Sequence, residues 1–330
     1  MSLALASQLQ FNTILNESYE IWHSGLSIRH YFSLNQRLLN LNWAKTNYQF
    51  LVLLHKNQIL GGLKFYQLHL RYNNFVYKLA GLGAIYILKK YRNLGYSSEL
   101  INQVIQLCRK QNYDGIILFS DLKPEFYNKF GFEVLAYQDF NFFLKLVNND
   151  WEINSSIQIN ENSYIAADLK QKSIAWLSPI YNECNKLNPL GILRNENYWS
   201  FKIFKENYLS RFSQIKWPKV QTLIDVDNEA YILYEINNSN LRILEIQGKN
   251  PDYLLNSLMN NCVQQSITDL KMFEANGQYF TNLQNLAKKS FYSPRNWGIF
   301  MLLALSPDLK NSFTGLSQLL PFPIQELDYL

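Results

Sequence analysis

A single glycine, Gly95, separates a long apolar run from a long amphipathic one in the stretch KKYRNLGYSSEL (Lys89–Leu100). The run before it, FVYKLAGLGAIYIL (75–88), has the β-branched and aromatic content of a strand and two internal glycines, which mark a bulge or a close backbone approach. The run after it, 96–111, places Leu100, Ile101, Val104, Ile105, Leu107 and Cys108 on one helical stripe. A strand feeding a helix through one glycine commits this region to an α/β arrangement. Glycine is otherwise scarce, 13 in 330 residues, yet Gly81, Gly83, Gly95, Gly115 and Gly131 all fall within 81–131. Such clustering marks backbone that must bend or approach something closely. The first amides of a helix lack internal partners and sit at the positive end of its dipole, so a bare loop there can surround a phosphate. Lys89, Lys90 and Arg92 add attraction for an anion. On the loop alone, a pyrophosphate cradle and an ordinary turn with solvated charges are equally open. No GxxxxGK[ST] occurs, which excludes the nucleotidase P-loop.

Elsewhere helices are expected at 12–23, 32–42, 123–130, 171–187, 195–208, 251–265 and 279–288. Strands are expected at 49–55, 61–70, 115–120, 219–225, 230–236, 241–247, 268–274 and 298–305. The stretches FEVLAY and FFLKL, just before residue 147, are expected to close the first sheet. A polar seam near NNDWEINSS (148–156) divides the chain into two candidate domains, 1–150 and 151–330, whose element orders repeat. The net charge of +5 is mild, and no lysine- or arginine-rich run marks a nucleic-acid face. Cys108, Cys184 and Cys262 are far apart, so neither a zinc site nor a disulfide framework is expected, and no metal. The longest late apolar run, WGIFMLLAL, spans nine residues, far short of the ~20 of a membrane helix. The expectation is a soluble, cytoplasmic protein, with homo-oligomerisation left open.

About thirty residues after Gly95 stands PEFYNKFGF (Pro124–Phe132). With it the chain resembles the GCN5-related N-acetyltransferases (GNAT), which carry [Q/R]-x-x-G-x-[G/A] after their fourth strand. Here that reads Arg92-Asn93-Leu94-Gly95-Tyr96-Ser97, with Ser97 in place of the last small residue. The family's second signature, a strand and then FY-x-x-x-GF, reads here GIILFS, then Phe126-Tyr127 and Gly131-Phe132. The match covers about 45–147. More loosely, the whole chain resembles the enhanced-intracellular-survival type of tandem acetyltransferase, because LGILRNENYWSF (190–201) is similar to the G-x-x-R-x-x-x-x-W opening of their second domain. Their third, sterol-carrier-like domain has no room before Leu330.

The resemblance implies an α/β (α+β) fold of tandem acetyltransferase units, each a mixed, mostly antiparallel sheet flanked by helices. Residues 1–150 would form the catalytic unit, and 151–330 a second one lacking the cofactor loop. It implies an N-acetyltransferase (EC 2.3.1) in which a primary amine attacks acetyl-CoA, the co-substrate, directly. The cofactor would lie between strands 83–88 and 115–120, along Ile85, Tyr86 and Ile87. Its pyrophosphate would take the amides of Arg92, Asn93, Leu94, Gly95, Tyr96, Ser97 and Ser98. Tyr127 matches the tyrosine that protonates the leaving thiolate and is the expected general acid; with 22 tyrosines in the chain, a packed aromatic is the alternative reading. The base is not identified: His23, His30, His55 and His69 read as structural, while Glu99, Asp121 and the carboxylate of Leu330 are candidates. In GKNPDY, the second-half counterpart of the loop, Pro251 lacks an amide and no cofactor is expected. The acceptor would be a lysine or a small amine of polyamine or aminoglycoside type, with no nucleic acid and no membrane partner. The rival reading is a degenerate acetyltransferase fold that binds acyl-CoA, or a protein, without turnover.

Overall fold

The computed structural model describes residues 1–72, 75–136, 138–144, 164–187, 190–215, 217–227, 229–249, 251–273, 283–284, 287–295 and 297–313. In chain order these form β1 (Ser2–Leu5), α1 (Gln8–Trp22), α2 (Ile28–Leu39), α3 (Ala44–Asn47), β2 (Tyr48–His55), β3 (Gln58–Tyr72), β4 (Phe75–Ile87), α4 (Tyr96–Lys110), β5 (Gly115–Ser120), α5 (Glu125–Asn128), β6 (Glu133–Ala136) and β7 (Gln138–Leu144). There follow β8 (Tyr164–Asp168), α6 (Ile174–Leu187), β9 (Leu190–Ile192), α7 (Glu196–Phe212), β10 (Gln221–Asp225), β11 (Ala230–Asn237), β12 (Asn240–Gly248), α8 (Asp252–Gln264), β13 (Asp269–Phe273), β14 (Ala287–Pro294), β15 (Ile299–Ala304) and α9 (Pro307–Phe313).

Two sheets result, ordered β1-β2-β3-β4-β5-β15-β6 and β8-β10-β11-β12-β13-β7-β14, with β9 added to the first sheet beside β3. The orders correspond slot for slot. The one parallel pair occupies the same place in each, β4 with β5 and β12 with β13. The fold class expected from the motifs is therefore the fold observed: two related, mostly antiparallel sheets with helices on their faces. The sixth slot corrects the sequence reading. FFLKL does not close the first sheet; β7 crosses to the second, between β13 and β14. The strand 298–305 returns as β15 to the first, between β5 and β6. Periodicity shows that a segment is a strand but not which sheet completes it, so a cut at residue 150 removes a strand from each sheet. The aromatic segment FYSPRNW (291–297) lies largely on edge strand β14. The helix expected at 279–288 falls mostly outside the described residues.

Alternation along the central strands sorts the first core into two layers. On β3, Leu63 and Phe65 pack with α4, while Tyr66, Leu68 and Leu70 face α1, α2 and α7. Helix α7 belongs to both halves. Its Tyr198, Phe201, Tyr208 and Leu209 pack on the first sheet, and its Trp199 and Ile203 on the second. The ring of Phe201 lies 5.7 Å from that of Tyr48 and 4.9 Å from that of Trp43. Its buried residues, Lys202 among them, are spread round the helix, as packing on two sheets requires.

The G-x-x-R-x-x-x-x-W stretch has a structural use. The Arg194 guanidinium donates to both oxygens of Glu245 at 2.9 Å, and the Tyr231 hydroxyl donates to the same carboxylate at 2.6 Å, with all three residues buried. Arg194 also lies 4.1 Å from the ring centre of Tyr181 and 4.7 Å from that of Trp199. A buried charge is tolerated only when paired and hydrogen-bonded in this way. Cys108, Cys184 and Cys262 are free and buried.

Candidate active site

The opening lies between β4 and β5. Their pairing runs from Leu79↔Gly115 to Leu82↔Leu118 and stops there. Beyond it β4 is bulged: its register against β3 slips between the pairs Gly62↔Tyr86 and Lys64↔Gly83, and Ala84 takes a φ of +46°. A bulge kinks a strand and raises its twist, which carries 83–87 away from β5. Meanwhile β15 holds β5 in place through Ile299↔Ser120 and Phe300↔Phe119. The diverging strands flank a cavity of about 670 Å³. It passes from the α4 face of the sheet to the face covered by α1, α2 and α7.

On the α4 face stands the glycine loop. Gly95 caps α4 at φ +83°, and a Cβ built there would meet nothing within 4 Å. The glycine is therefore demanded by backbone conformation, and the space beside it stays open. The Arg92 amide is bonded to the Lys89 carbonyl and the Ser98 amide to the Gly95 carbonyl. Among the described residues no acceptor takes the amides of Asn93, Leu94, Gly95, Tyr96 and Ser97. Orphan amides at a helix N-terminus fit a phosphate. Of the expected residues, Ile85, Tyr86, Ile87, Arg92, Asn93, Gly95, Tyr96, Ser97 and Tyr127 line the cavity. Leu94 is exposed and Ser98 accepts from Lys129; neither side chain lines it. The basic residues before the loop divide their work. Lys89 pairs with Glu20 at 2.6 Å, while Arg92 donates through Nε to the Ile87 carbonyl and lies 5.0 Å from the Tyr86 ring centre.

Tyr127 is buried, with its ring against Phe126 and Phe132. Burial, and secondarily the nearby Asp121 charge, push its hydroxyl well above the ordinary tyrosine range, so it holds its proton. Asp121 lines the cavity and accepts from the Gly298 amide at 3.0 Å. Glu99 accepts from Gln103 on the surface of α4 and does not reach the cavity. None of the four histidines lines it. Leu330 lies outside the described residues.

One group escaped the sequence reading. Lys64 stands on β3 with Tyr66, on the face otherwise given to the α1–α2–α7 core, and it lines the cavity opposite Gly83. Its signal is visible in GGLKFYQL: a lysine in an apolar strand, in phase with Tyr66 and Leu68. Burial, and then the neighbouring Lys205 charge, lower its ammonium to about 7. Lys202 and Lys205 enter the same cavity from α7, beside Phe201 and Leu209. In the second half, Gly248 gives no comparable loop. Its Cβ would lie 2.4 Å from that of Ala230 across the ladder, so the glycine serves strand contact.

A sheet opened at its one parallel pair, with unpaired helix amides beside the gap, defines the acyltransferase class of fold that the motifs implied. Residues 14–135 match the family model of the acetyltransferase (GNAT) domain, which bears out the resemblance to the GCN5-related N-acetyltransferases. A comparison with curated protein sequences finds no match. Among solved structures, the chain is similar to a GCN5-related N-acetyltransferase from Anabaena variabilis, with a TM-score of 0.65 and 16% identity over 92% of this chain and 73% of that one. It is also similar to Eis1 from Mycobacterium abscessus, with a TM-score of 0.60 and 11% identity over 92% and 73%. Saccharomyces cerevisiae N-myristoyltransferase with bound myristoyl-CoA aligns with a TM-score of 0.51 and 10% identity over 93% and 82%. No helix among the described residues is long and apolar enough to cross a membrane.

Proposed function

We propose that the chain is an acyl-CoA-dependent N-acyltransferase, with acetyl-CoA as the donor and an amine as the acceptor. The observation that carries this reading is the continuity of one cavity from the unpaired amides of 93–97, through the gap between β4 and β5, past the buried Tyr127 hydroxyl, to a second chamber floored by β3 and walled by α7. The amides of Asn93–Ser97 hold the pyrophosphate, and the bulged backbone of Gly83–Ile87 offers its edge to the pantetheine, as a sheet edge takes an added strand. The thioester, when bound, supplies an electrophilic carbonyl and a thiol leaving group. As the nitrogen–carbon bond forms and the carbon–sulfur bond breaks, the Tyr127 hydroxyl gives its proton to sulfur. The proton lost by the amine restores it. Burial raises a thiol as it raises this phenol, which keeps their proton affinities closer than Tyr127's shift alone would imply.

The test is release of free thiol from acetyl-CoA over a panel of amines. Tyr127→Phe keeps the ring and its packing, so CoA affinity should stay within about twofold while kcat falls ~10²-fold or more, the usual range for a general acid. Unchanged kcat in that variant would make Tyr127 a core residue. CoA binding with no release to any amine would leave the binding-protein reading standing.

A further inference from the structure

The two internal glycines of β4 stand opposite two particular residues of β3. Gly83 pairs with Lys64 and Gly81 with Tyr66 across the ladder. Residues directly opposite in an antiparallel pair point to the same face, so β4 sets no side chain beside Lys64 or Tyr66. Lys64 and Gly83 both line the cavity, at the place where β4 slips its register and leaves β5. The Lys64 amine is thus left open toward the gap between the strands. It is not a surface lysine. Lys64 is in phase with Tyr66 and Leu68 of the α1–α2–α7 core, it is half-buried, and among the described residues no hydrogen-bond or ion-pair partner takes it. Loss of hydration, and then the neighbouring Lys205 charge, favour its neutral form. Among the described residues it shares the wall with Lys202 and Lys205 from α7, Tyr66 on its own strand, Tyr31 from α2 and Tyr86 from β4, and the wall's other charged groups are Arg92 and Asp121. Burial raises the hydroxyls of Tyr31, Tyr66 and Tyr86, so these neighbours keep their protons at neutral pH.

We infer that Lys64 is the general base of the transfer: its Nζ accepts the proton that the acceptor amine loses as nitrogen adds to the thioester carbonyl. This rests on the acyltransferase reading. The reaction needs an acid at sulfur and a base at nitrogen, and one group cannot serve both ends of the carbonyl at once. Tyr127 packs in the layer of α4, whereas Lys64 belongs to the face of α1, α2 and α7, so the two meet the gap from opposite sides of the sheet. Asp121, the other candidate base on the described wall, stands on the side of the leaving group: its charge acts on Tyr127, and it accepts from the Gly298 amide. In the step, the nitrogen–carbon bond of a neutral bound amine forms and the carbon–sulfur bond breaks. The nitrogen's proton passes to Lys64 and the Tyr127 proton to sulfur. The Lys64 ammonium then returns its proton to the Tyr127 phenolate, so an amide and a free thiol leave and both residues end as they began.

The experiment uses the full chain, acetyl-CoA and whichever amine of the panel releases thiol fastest, with Lys64→Met and Lys64→Arg beside wild type. The ratio of wild-type kcat to that of Lys64→Met cancels the acceptor's own ionisation and reads Lys64. It should be ~10²-fold near pH 8.5, the usual range for a general base, and fall about tenfold by pH 6 as Lys64 takes up its proton. Lys64→Arg, cationic throughout, should be as slow as Lys64→Met, whereas a lysine that only donates hydrogen bonds would be rescued by arginine. Competitive labelling with acetic anhydride, followed by mass spectrometry of the Lys64 peptide, reads the same amine without turnover. Its midpoint should lie at about 7 and not at 10.5. A labelling midpoint near 10.5, a kcat ratio that ignores pH, rescue by arginine, or acetylation of Lys64 itself by acetyl-CoA would each overturn the inference. A flat ratio with thiol release intact would remove the base and keep the acyltransferase reading. CoA binding without release to any amine would reject both.

Discussion

Lys64 is the residue at which burial and charge pull apart. An ammonium forced to about 7 from 10.5 is a group that the folded chain prefers neutral, whereas the unfolded chain keeps it charged up to 10.5. The sign follows directly. Between about pH 7 and 10.5 the unfolded state binds the extra proton, so this group's penalty grows as pH falls and is complete below about 7. Lys64→Met should therefore be more stable than wild type by about 1–4 kcal/mol at pH 7. The gap should close as pH approaches 10.5, in paired urea titrations across that range. Among the described residues, Lys64 shares the cavity wall with Lys202 and Lys205 from α7, Tyr66 on its own strand, Tyr31 from α2 and Tyr86 from β4. Among the described residues, Asp121, nearer Tyr127, is the wall's one carboxylate. A variant less stable than wild type at pH 7 would mean that Lys64 is paired in the protein and not strained.

The elements of the site differ in how far the sequence discloses them. The helix after Gly95 was legible, because its apolar stripe, its acidic first turn at Glu99 and its basic last turn at Arg109 and Lys110 all agree. The loop was legible because glycine and a strand–helix junction coincide. That Tyr127 lines the cavity could be expected only through the resemblance, since nothing in its own spacing separates it from the other tyrosines. The β4 bulge was visible only as two glycines; which residue would take positive φ depends on the register against β3, and that is Ala84. The lysine chamber was not assembled from sequence, because Lys64 and α7 lie more than a hundred residues apart and meet only when α7 docks on the first sheet. At the level of the α4 N-terminus, Gly95→Glu places a carboxylate in the open space beside five unpaired amides. The residue must also hold φ +83°, at a cost of order 1 kcal/mol. The chain should stay folded by circular dichroism, and CoA affinity should fall at least a hundredfold in calorimetry. Retained affinity in the folded variant would move the phosphate site away from this helix.

At the scale of the molecule, the two halves are interlocked by exchange. β7 leaves the first half to sit between β13 and β14, where Asp139 is held by Lys271 at 2.9 Å and Arg295 at 3.4 Å. β15 comes back to flank β5, the strand that bounds the site. β9 adds to β3, and α7 fills the cores of both sheets. The sequence reading expected two units divided near 148–156, but it could not see the exchange, because each exchanged strand carries the same alternation whichever sheet it joins. The consequence is testable by splitting the chain at residue 150. The fragment 1–150 then lacks β15, which leaves β5 with an open edge and exposes a face of Phe300 and Leu302 contacts, while 151–330 lacks β7. Neither fragment should give a cooperative thermal transition alone. Co-expressed, they should co-purify as a single 1:1 species by size exclusion and regain CoA binding, because each supplies the other's sixth strand. The intact chain should unfold in one calorimetric transition. A fragment 1–150 that melts cooperatively as a monomer and binds CoA would show the first sheet to be complete without β15, and would reduce the exchange to a tether between independent domains.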